Sequence, residues 1–482
     1  MLAAILLPVI PCIFLLCWKS PERALLLWLL VSPFSAEKLF LFGVPLPVVT
    51  FDRLAFLAVV LGLVSTNRLR GLFQGPFSKL EKAIAWFLLA FILDAFLNFR
   101  PRRTCAVLLS GLEYYGIAFF IYLLAKHLLL SGGTYNEGLE RRLATTLAIV
   151  GAYCAAMSIF EGTTGIDLLP YPETIESIRH GGTLREGGGI RTNGPFKSPE
   201  VLGQYLSLTL LLSIYRWRLP LSAHSPPRPP WRLATVPVIL LYLVGLFFNK
   251  FRSIWLGFLG GCLTRYARSA RACLMMLAAL VFGAVALWLL HDQLAQSKFY
   301  AQRIGNTDTV FTRFASWKFA FQAFGENPVL GIGYNRLAEY IGNAQERGEN
   351  TTFMDVEASY RQGPHNTIIL ALAEFGLLGT VPLVLVGWYF LLDVRSCVRL
   401  ARTPAQVEFG YFAAAIAFAV LFPQMFDRIA GMEKHNNLVF VLFALVTARL
   451  RTLKADSLTA AATPTVRPAE RSFPRPQSAF GE

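Results

Sequence analysis

Two arginines and one histidine stand in polar stretches between apolar runs, and together they could bind a phosphate and move a proton: Arg191, Arg252 and His365. Arg191 closes a glycine-rich stretch from His180 to Glu200 that also holds Lys197. Glycines let backbone N–H groups approach a bound group closely. Arg191 offers a two-point fork to phosphate and Lys197 a point charge. The competing reading is a connector whose arginine meets lipid headgroups. Arg252 sits in the turn Asn249-Lys250-Phe251-Arg252-Ser253 between two apolar spans. There it reads either as a phosphate ligand or as a snorkelling anchor. His365 lies in Gly363-Pro364-His365-Asn366, directly before a long apolar helix. The positive end of the helix dipole lowers a histidine pKa and favours the neutral form. Such an imidazole serves as a general base on a hydroxyl, or more simply as an interfacial or capping residue. Glu374 is nine residues further on, about half a turn round the helix. It is expected to pair with a cation of another helix rather than with His365.

The loop 291–364 is too long for a mere connector. Phe314, Trp317, Phe321 and Phe324 recur at spacings of three and four, which predicts one helical face used for ordinary packing. Thr309 or Thr312 is the expected cap, and Gly325 with Pro328 the expected stop. Arg303 and Arg313 flank this helix and add positive charge to a site. Pro328-Val-Leu-Gly-Ile-Gly-Tyr-Asn335 follows as a glycine-punctuated turn. Its glycines are a weak phosphate-loop signal, since no Lys-Ser/Thr follows.

The elements that must position these residues are membrane helices. The chain has 482 residues, 55% hydrophobic and 16% charged, and stretches of about 20 apolar residues, enough to span a bilayer, recur along it. The expected fold is an all-α, polytopic integral membrane bundle. Apolar spans fall near 2–18, 23–41, 51–64, 83–98, 104–130, 143–160, 199–215, 233–249, 252–266, 272–290, 365–392, 406–426 and 435–450. Pro33 interrupts the second, and without it the count drops from thirteen to twelve. The first span has no basic flank before it and reads as a retained helix.

Basic clusters around Arg68, Arg216, Arg268, Arg395 and Arg449 fall on one side by this count, which should be the cytoplasm. Arg100, Arg102 and Arg103 fall on the other. Loops near 161–198 and 291–364 then face outward, and 455–482 reads as a disordered cytoplasmic tail after a membrane domain of 1–454. The net charge of +15 is accounted for by helix flanks and does not call for nucleic acid. The seven cysteines show neither metal-site spacing nor a disulfide framework.

Four stretches resemble the O-antigen ligase superfamily, which includes polysaccharide polymerases. They are Arg191-Thr-Asn-Gly-Pro-Phe196, Asn249-Lys-Phe-Arg-Ser253, Arg313-Phe-Ala-Ser-Trp317 through Gly331-Ile-Gly-Tyr-Asn335, and His365-Asn-Thr-Ile-Ile-Leu370 with Glu374-Phe-Gly-Leu-Leu-Gly379. The resemblance implies a GT-C-like bundle of about twelve helices with a large periplasmic loop, in the bacterial inner membrane. It implies an undecaprenyl-pyrophosphate-linked glycan as donor, a lipid or glycan acceptor hydroxyl, and no metal or other cofactor. It carries pyrophosphate binding onto Arg191 and Arg252 and the catalytic base onto His365. Lys197, Arg303, Arg313, Tyr334 and Asn366 are supporting candidates. Ligase and polymerase share this donor chemistry. A transporter or flippase is the alternative of another class, and it would favour charges within the spans, of which Asp94, Glu113 and Glu374 are the main ones.

Overall fold

The computed structural model describes residues 8–34, 40–41, 44–45, 50–74, 76–98, 101–131, 134–166, 192–196, 198–218, 231–264, 308–346, 364–426 and 433–462, with isolated helical positions between 271 and 285. Apart from a two-residue hairpin pairing Phe40–Leu41 with Val44–Pro45, the described regular structure is helical. In chain order the helices are α1 (Val9–Lys19), α2 (Pro21–Val31), α3 (Phe51–Ser65), α4 (Leu69–Leu72), α5 (Lys79–Leu97), α6 (Pro101–Gly111) and α7 (Ile117–Leu129). There follow α8 (Glu137–Thr164), α9 (Pro199–Arg218), α10 (Trp231–Asn249), α11 (Arg252–Thr264), α12 (Asp308–Glu326), α13 (Leu337–Glu346), α14 (Thr367–Leu400), α15 (Pro404–Gln424) and α16 (Glu433–Ala462). A π-turn, Leu112–Gly116, joins α6 to α7. Among the described residues four helices are long and apolar enough to cross a membrane: Thr104–Leu129, Glu137–Thr164, Thr367–Leu400 and Pro404–Gln424. The protein is an all-α, polytopic membrane protein.

Local chemistry sets the helix ends. Ser78 and Glu81 form a reciprocal capping box at the start of α5, and Thr403 with Gln406 repeats it at α15. Asn136 caps α8, which stops at Gly165 in the left-handed conformation (φ 74°).

Several expectations need correction. The segment 23–41 forms a helix only to Val31, followed by a 3-10 turn through Pro33. Its 11 residues rise about 16 Å, roughly half the hydrocarbon thickness, so this is not a full span. α12 begins at Asp308, which puts Thr309 and Thr312 inside the helix rather than at its cap. α16 runs beyond Lys454 to Ala462, so 455–462 are helix, and 463–482 lie outside the described residues. The expected span 272–290 and the side chains of Arg100, Arg102 and Arg103 lie largely or wholly outside them too.

Packing follows small residues, as it must where lipid is as apolar as leucine. On α11, a Cβ at Gly257 would meet Pro423 at 2.9 Å and one at Gly261 would meet the Ala415 carbonyl oxygen at 2.8 Å. α11 therefore lies directly on α15. Both belong to the main core, which also holds Trp28, Tyr122, Tyr242 and Phe443. A second, smaller core joins α12, α13 and the start of α14 through Phe319, Ala323, Leu337, Ile341 and Leu370.

α14 is broken at Gly376, whose backbone (φ 57°, ψ −154°) is not helical. The turn after α12 fills the break. The N–H groups of Ile332 and Gly333 donate to the carbonyls of Ala373 and Glu374, both at 2.9 Å. In return the N–H groups of Leu377 and Leu378 donate to Pro328 and Val329 at 2.9 and 3.0 Å. Backbone groups freed by the break are thus satisfied within protein, as an apolar surrounding demands. The glycines of 328–335 serve this close approach: a Cβ at Gly331 would lie 2.4 Å from the Glu374 carbonyl. That replaces the weak phosphate-loop reading of the turn.

Candidate functional site

Arg191 and Lys197 lie outside the described residues, but the stretch between them, 192–196, is described and buried. It is held from two sides. Glu161, 3% exposed near the end of α8, accepts the N–H groups of Asn193 and Gly194 at 3.0 and 2.8 Å. From the other side, Asn249 Nδ2 donates to the carbonyls of Thr192 (3.2 Å) and Pro199 (2.7 Å). Ser158 Oγ adds a 2.6 Å bond to Thr192 Oγ1 and donates to the Gly245 carbonyl at 2.9 Å. Asn249 is the last residue of α10, three before Arg252. The backbone next to Arg191 is therefore tied to the Arg252 turn.

Arg252 is the first residue of α11, with its side chain exposed at the helix start. The turn before it places Lys250 at φ 57°, a strained conformation for a side-chain-bearing residue. His365 is half-buried and also has positive φ, at 27°. It precedes Asn366, the N-cap of α14. The Asn366 Oδ1 accepts the N–H groups of Ile368 and Ile369, both at 3.0 Å, and its Nδ2 donates to the Met425 carbonyl at 2.9 Å. Thr367 Oγ1 donates to Gln424 Oε1 at 2.7 Å. Trp317 Nε1 donates to the Pro364 carbonyl at 3.0 Å, which fixes the His365 stretch from the α12 side.

The end of α15 links the two cationic stretches. Gln424 and Met425 hold the start of α14, and Pro423 packs on Gly257 of α11. Gly257 is five residues along α11 from Arg252, about 7.5 Å of rise. The start of α11, the end of α15, the start of α14 and the 192–196 stretch thus share one end of the bundle. Arg449 and Arg451, midway along α16, pair with Glu137 and Glu81 at 3.6 and 3.8 Å, at the starts of α8 and α5 and so at the other end of α8 from Glu161.

The remaining candidates divide. Arg313 is half-buried on α12, one turn before Trp317. Tyr334 lies against Phe91 and Phe375, with ring centroids 4.9 and 5.8 Å away, and its N–H donates to Asp94 Oδ2 at 3.0 Å. Asn366 spends its amide on the cap and on Met425. Arg303 lies outside the described residues. The aromatic face of α12 packs only in part: Phe314 and Phe321 are 55% and 50% exposed, Trp317 and Phe324 are half-buried, and Ala315, Phe319, Ala320 and Ala323 are buried. Sequence reasoning passed over Glu161, Gln424 and Met425, and gave Asn249 a place in the turn but no role. An acid near the end of an apolar span was the available signal for Glu161, but its partners are 32 and 33 positions away.

The three carboxylates within the spans have local explanations or settings. Glu113 of the π-turn is ion-paired with Arg53. Asp94 accepts Asn98 Nδ2 at 2.8 Å besides the Tyr334 N–H. Glu374, 2% exposed, sits at the break in α14.

Residues 237–384 match the family model described as O-Antigen ligase. The match covers about a third of the chain, and takes in Arg252, Arg313, Tyr334, His365 and Asn366 but not Arg191. It supports the O-antigen ligase and polymerase superfamily. No curated protein matches the chain.

Proposed function

We propose that this chain, with its O-antigen ligase match, transfers a glycan from an undecaprenyl-pyrophosphate carrier to an acceptor hydroxyl. The transfer takes place on the periplasmic side of the bacterial inner membrane, in a GT-C-like bundle. Arg191 and Arg252 bind the diphosphate. As the bond from the sugar C1 to the diphosphate oxygen breaks, its electron pair leaves with the carrier. Fixed guanidinium groups near a low-dielectric boundary stabilise that growing charge, the task a metal performs in other transferases. His365 takes the proton of the acceptor hydroxyl, whose oxygen attacks C1 from the face opposite the diphosphate, so the sugar configuration inverts. Lys197, Arg303 and Arg313 add positive charge around the carrier.

The observation that carries this reading is the stitching of chain at one end of the bundle. Asn249 joins Thr192 to the Arg252 turn, and the end of α15 joins α11 to the start of α14. The structural use of Glu113 and Asp94 weakens the transporter alternative, which needed those charges for a path.

The test is transfer by the purified full chain in lipid nanodiscs, with a lipid-linked glycan as donor. Removing one preorganised donor to developing negative charge typically costs about 100- to 1,000-fold in kcat. Arg252→Ala and His365→Ala are expected to fall by at least that much while staying folded, and full activity in either would overturn its assigned role. A single transfer product identifies a ligase, and a ladder of lengths a polymerase.

A further inference from the structure

We infer that Gly331 and Gly376 are positioning residues for this transfer, because their backbone interlock sets the height and rotation of His365 relative to Arg252; the inference rests on His365 being the base. His365 leads into only nine helical residues, 367–375, before the break at Gly376. An isolated helix that short is marginal, so its placement comes from what it touches. Its side chains Leu370 and Ala373 belong to the small core with Phe319, Ala323, Leu337 and Ile341. Arg252 starts α11, whose Ile254 and Phe258 belong to the main core. The two halves of the site therefore ride on different packed units.

The interlock is the main-chain joint between those units within α14. Its four hydrogen bonds hold the turn 328–333 across both halves of the broken helix. Only glycine permits it. A Cβ at Gly376 would lie 2.5 Å from the Val329 carbonyl, and one at Gly331 2.4 Å from the Glu374 carbonyl, far inside van der Waals contact. Both residues also have positive φ, 57° and 71°, which a side chain disfavours. An alanine at 376 favours closing α14 into one continuous helix. That would expel the turn and rotate the half-helix that carries His365. The bonds of Asn366 to Met425 and Thr367 to Gln424 must stretch or break as the half-helix turns, while the two cores keep the fold.

The test compares Gly376→Ala, Gly331→Ala and Leu377→Pro in the full chain in nanodiscs. Leu377→Pro deletes the N–H that bonds Pro328 and replaces a 47% exposed side chain, at a first helical position where proline is tolerated. Gly325→Ala and Gly342→Ala are the controls, since a Cβ at either meets nothing within 4 Å. Amide exchange over 328–333 and 377–378 is followed by mass spectrometry, and kcat and KM by transfer. The glycine variants should expose those amides and lower kcat about 10- to 100-fold, with donor KM within about threefold. Leu377→Pro should lower kcat about tenfold, and the controls should match wild type. Opened amides with unchanged kcat would overturn the positioning role, as would KM rising in step with the loss of kcat. If wild type shows protected amides but no transfer, the reading of His365 as base fails while the interlock stands.

Discussion

Asn249 Nδ2 donates to the Thr192 carbonyl at 3.2 Å across 57 positions of sequence, so the residue beside Arg191 is tied to the turn that presents Arg252. Asn249 is fully buried, and the same amide nitrogen also serves the Pro199 carbonyl at 2.7 Å. Asn249→Ala leaves both carbonyls without that donor, each at a cost of about 1–3 kcal/mol. The expected result is a lower unfolding temperature together with a transfer rate reduced at least tenfold. Asn249→Asp, which offers no donor when ionised, should be no better.

Glu161 supports the same stretch from the other side. Glu161→Gln keeps an oxygen that can accept the N–H groups of Asn193 and Gly194, so it should fold and retain part of the activity. Glu161→Leu strands two buried donors and should lose about 2–6 kcal/mol by the same reasoning. Equal unfolding temperatures for the two variants would show that the carboxylate does not hold this stretch.

Much of the bundle was legible because hydropathy and span length follow directly from the membrane. Helices occupy most of the expected spans. The partners were not legible. Glu161 with Asn193, Asn249 with Thr192 and Asn366 with Met425 are 32, 57 and 59 positions apart, and nothing local to either residue announces the other. Backbone conformation was equally hidden. Among the described residues four non-glycine positions have positive φ, and Lys250, Asn335 and His365 are three of them, all within the motif stretches. Strained positions of this kind concentrate where geometry serves function. On α12 the expected aromatic face divides. Trp317 reaches the Pro364 carbonyl, Phe314 and Phe321 are exposed, and the buried face is made by Phe319 with small alanines.

The glycines of α11 set how near Arg252 comes to the end of α15. Gly261→Leu forces a side chain into the Ala415 backbone, 2.8 Å from where its Cβ would sit. Overpacking of this kind costs about 1–3 kcal/mol when the core can shift. The expected outcome is a folded protein with a lower unfolding temperature and weakened transfer. Unchanged transfer would show that the α11–α15 spacing is not part of the site.

Arg53 and Glu113 form an ion pair with side chains 15% and 9% exposed. Breaking a buried pair from one side costs about 3–5 kcal/mol, whereas replacing both members is often neutral. Glu113→Gln should therefore lower stability sharply, and Arg53→Met with Glu113→Gln should recover most of it, with transfer restored in parallel. A double variant as unstable as the single one would mean that the pair is not the unit that matters.

The most direct measurement is an electron cryo-microscopy map of the full chain in nanodiscs with undecaprenyl diphosphate bound. The diphosphate should lie within hydrogen-bonding distance, about 3 Å, of the guanidinium groups of both Arg191 and Arg252, with the His365 imidazole facing it across the space for the sugar. A diphosphate held at the Arg449 end of the bundle, or contacted by neither arginine, would contradict the account.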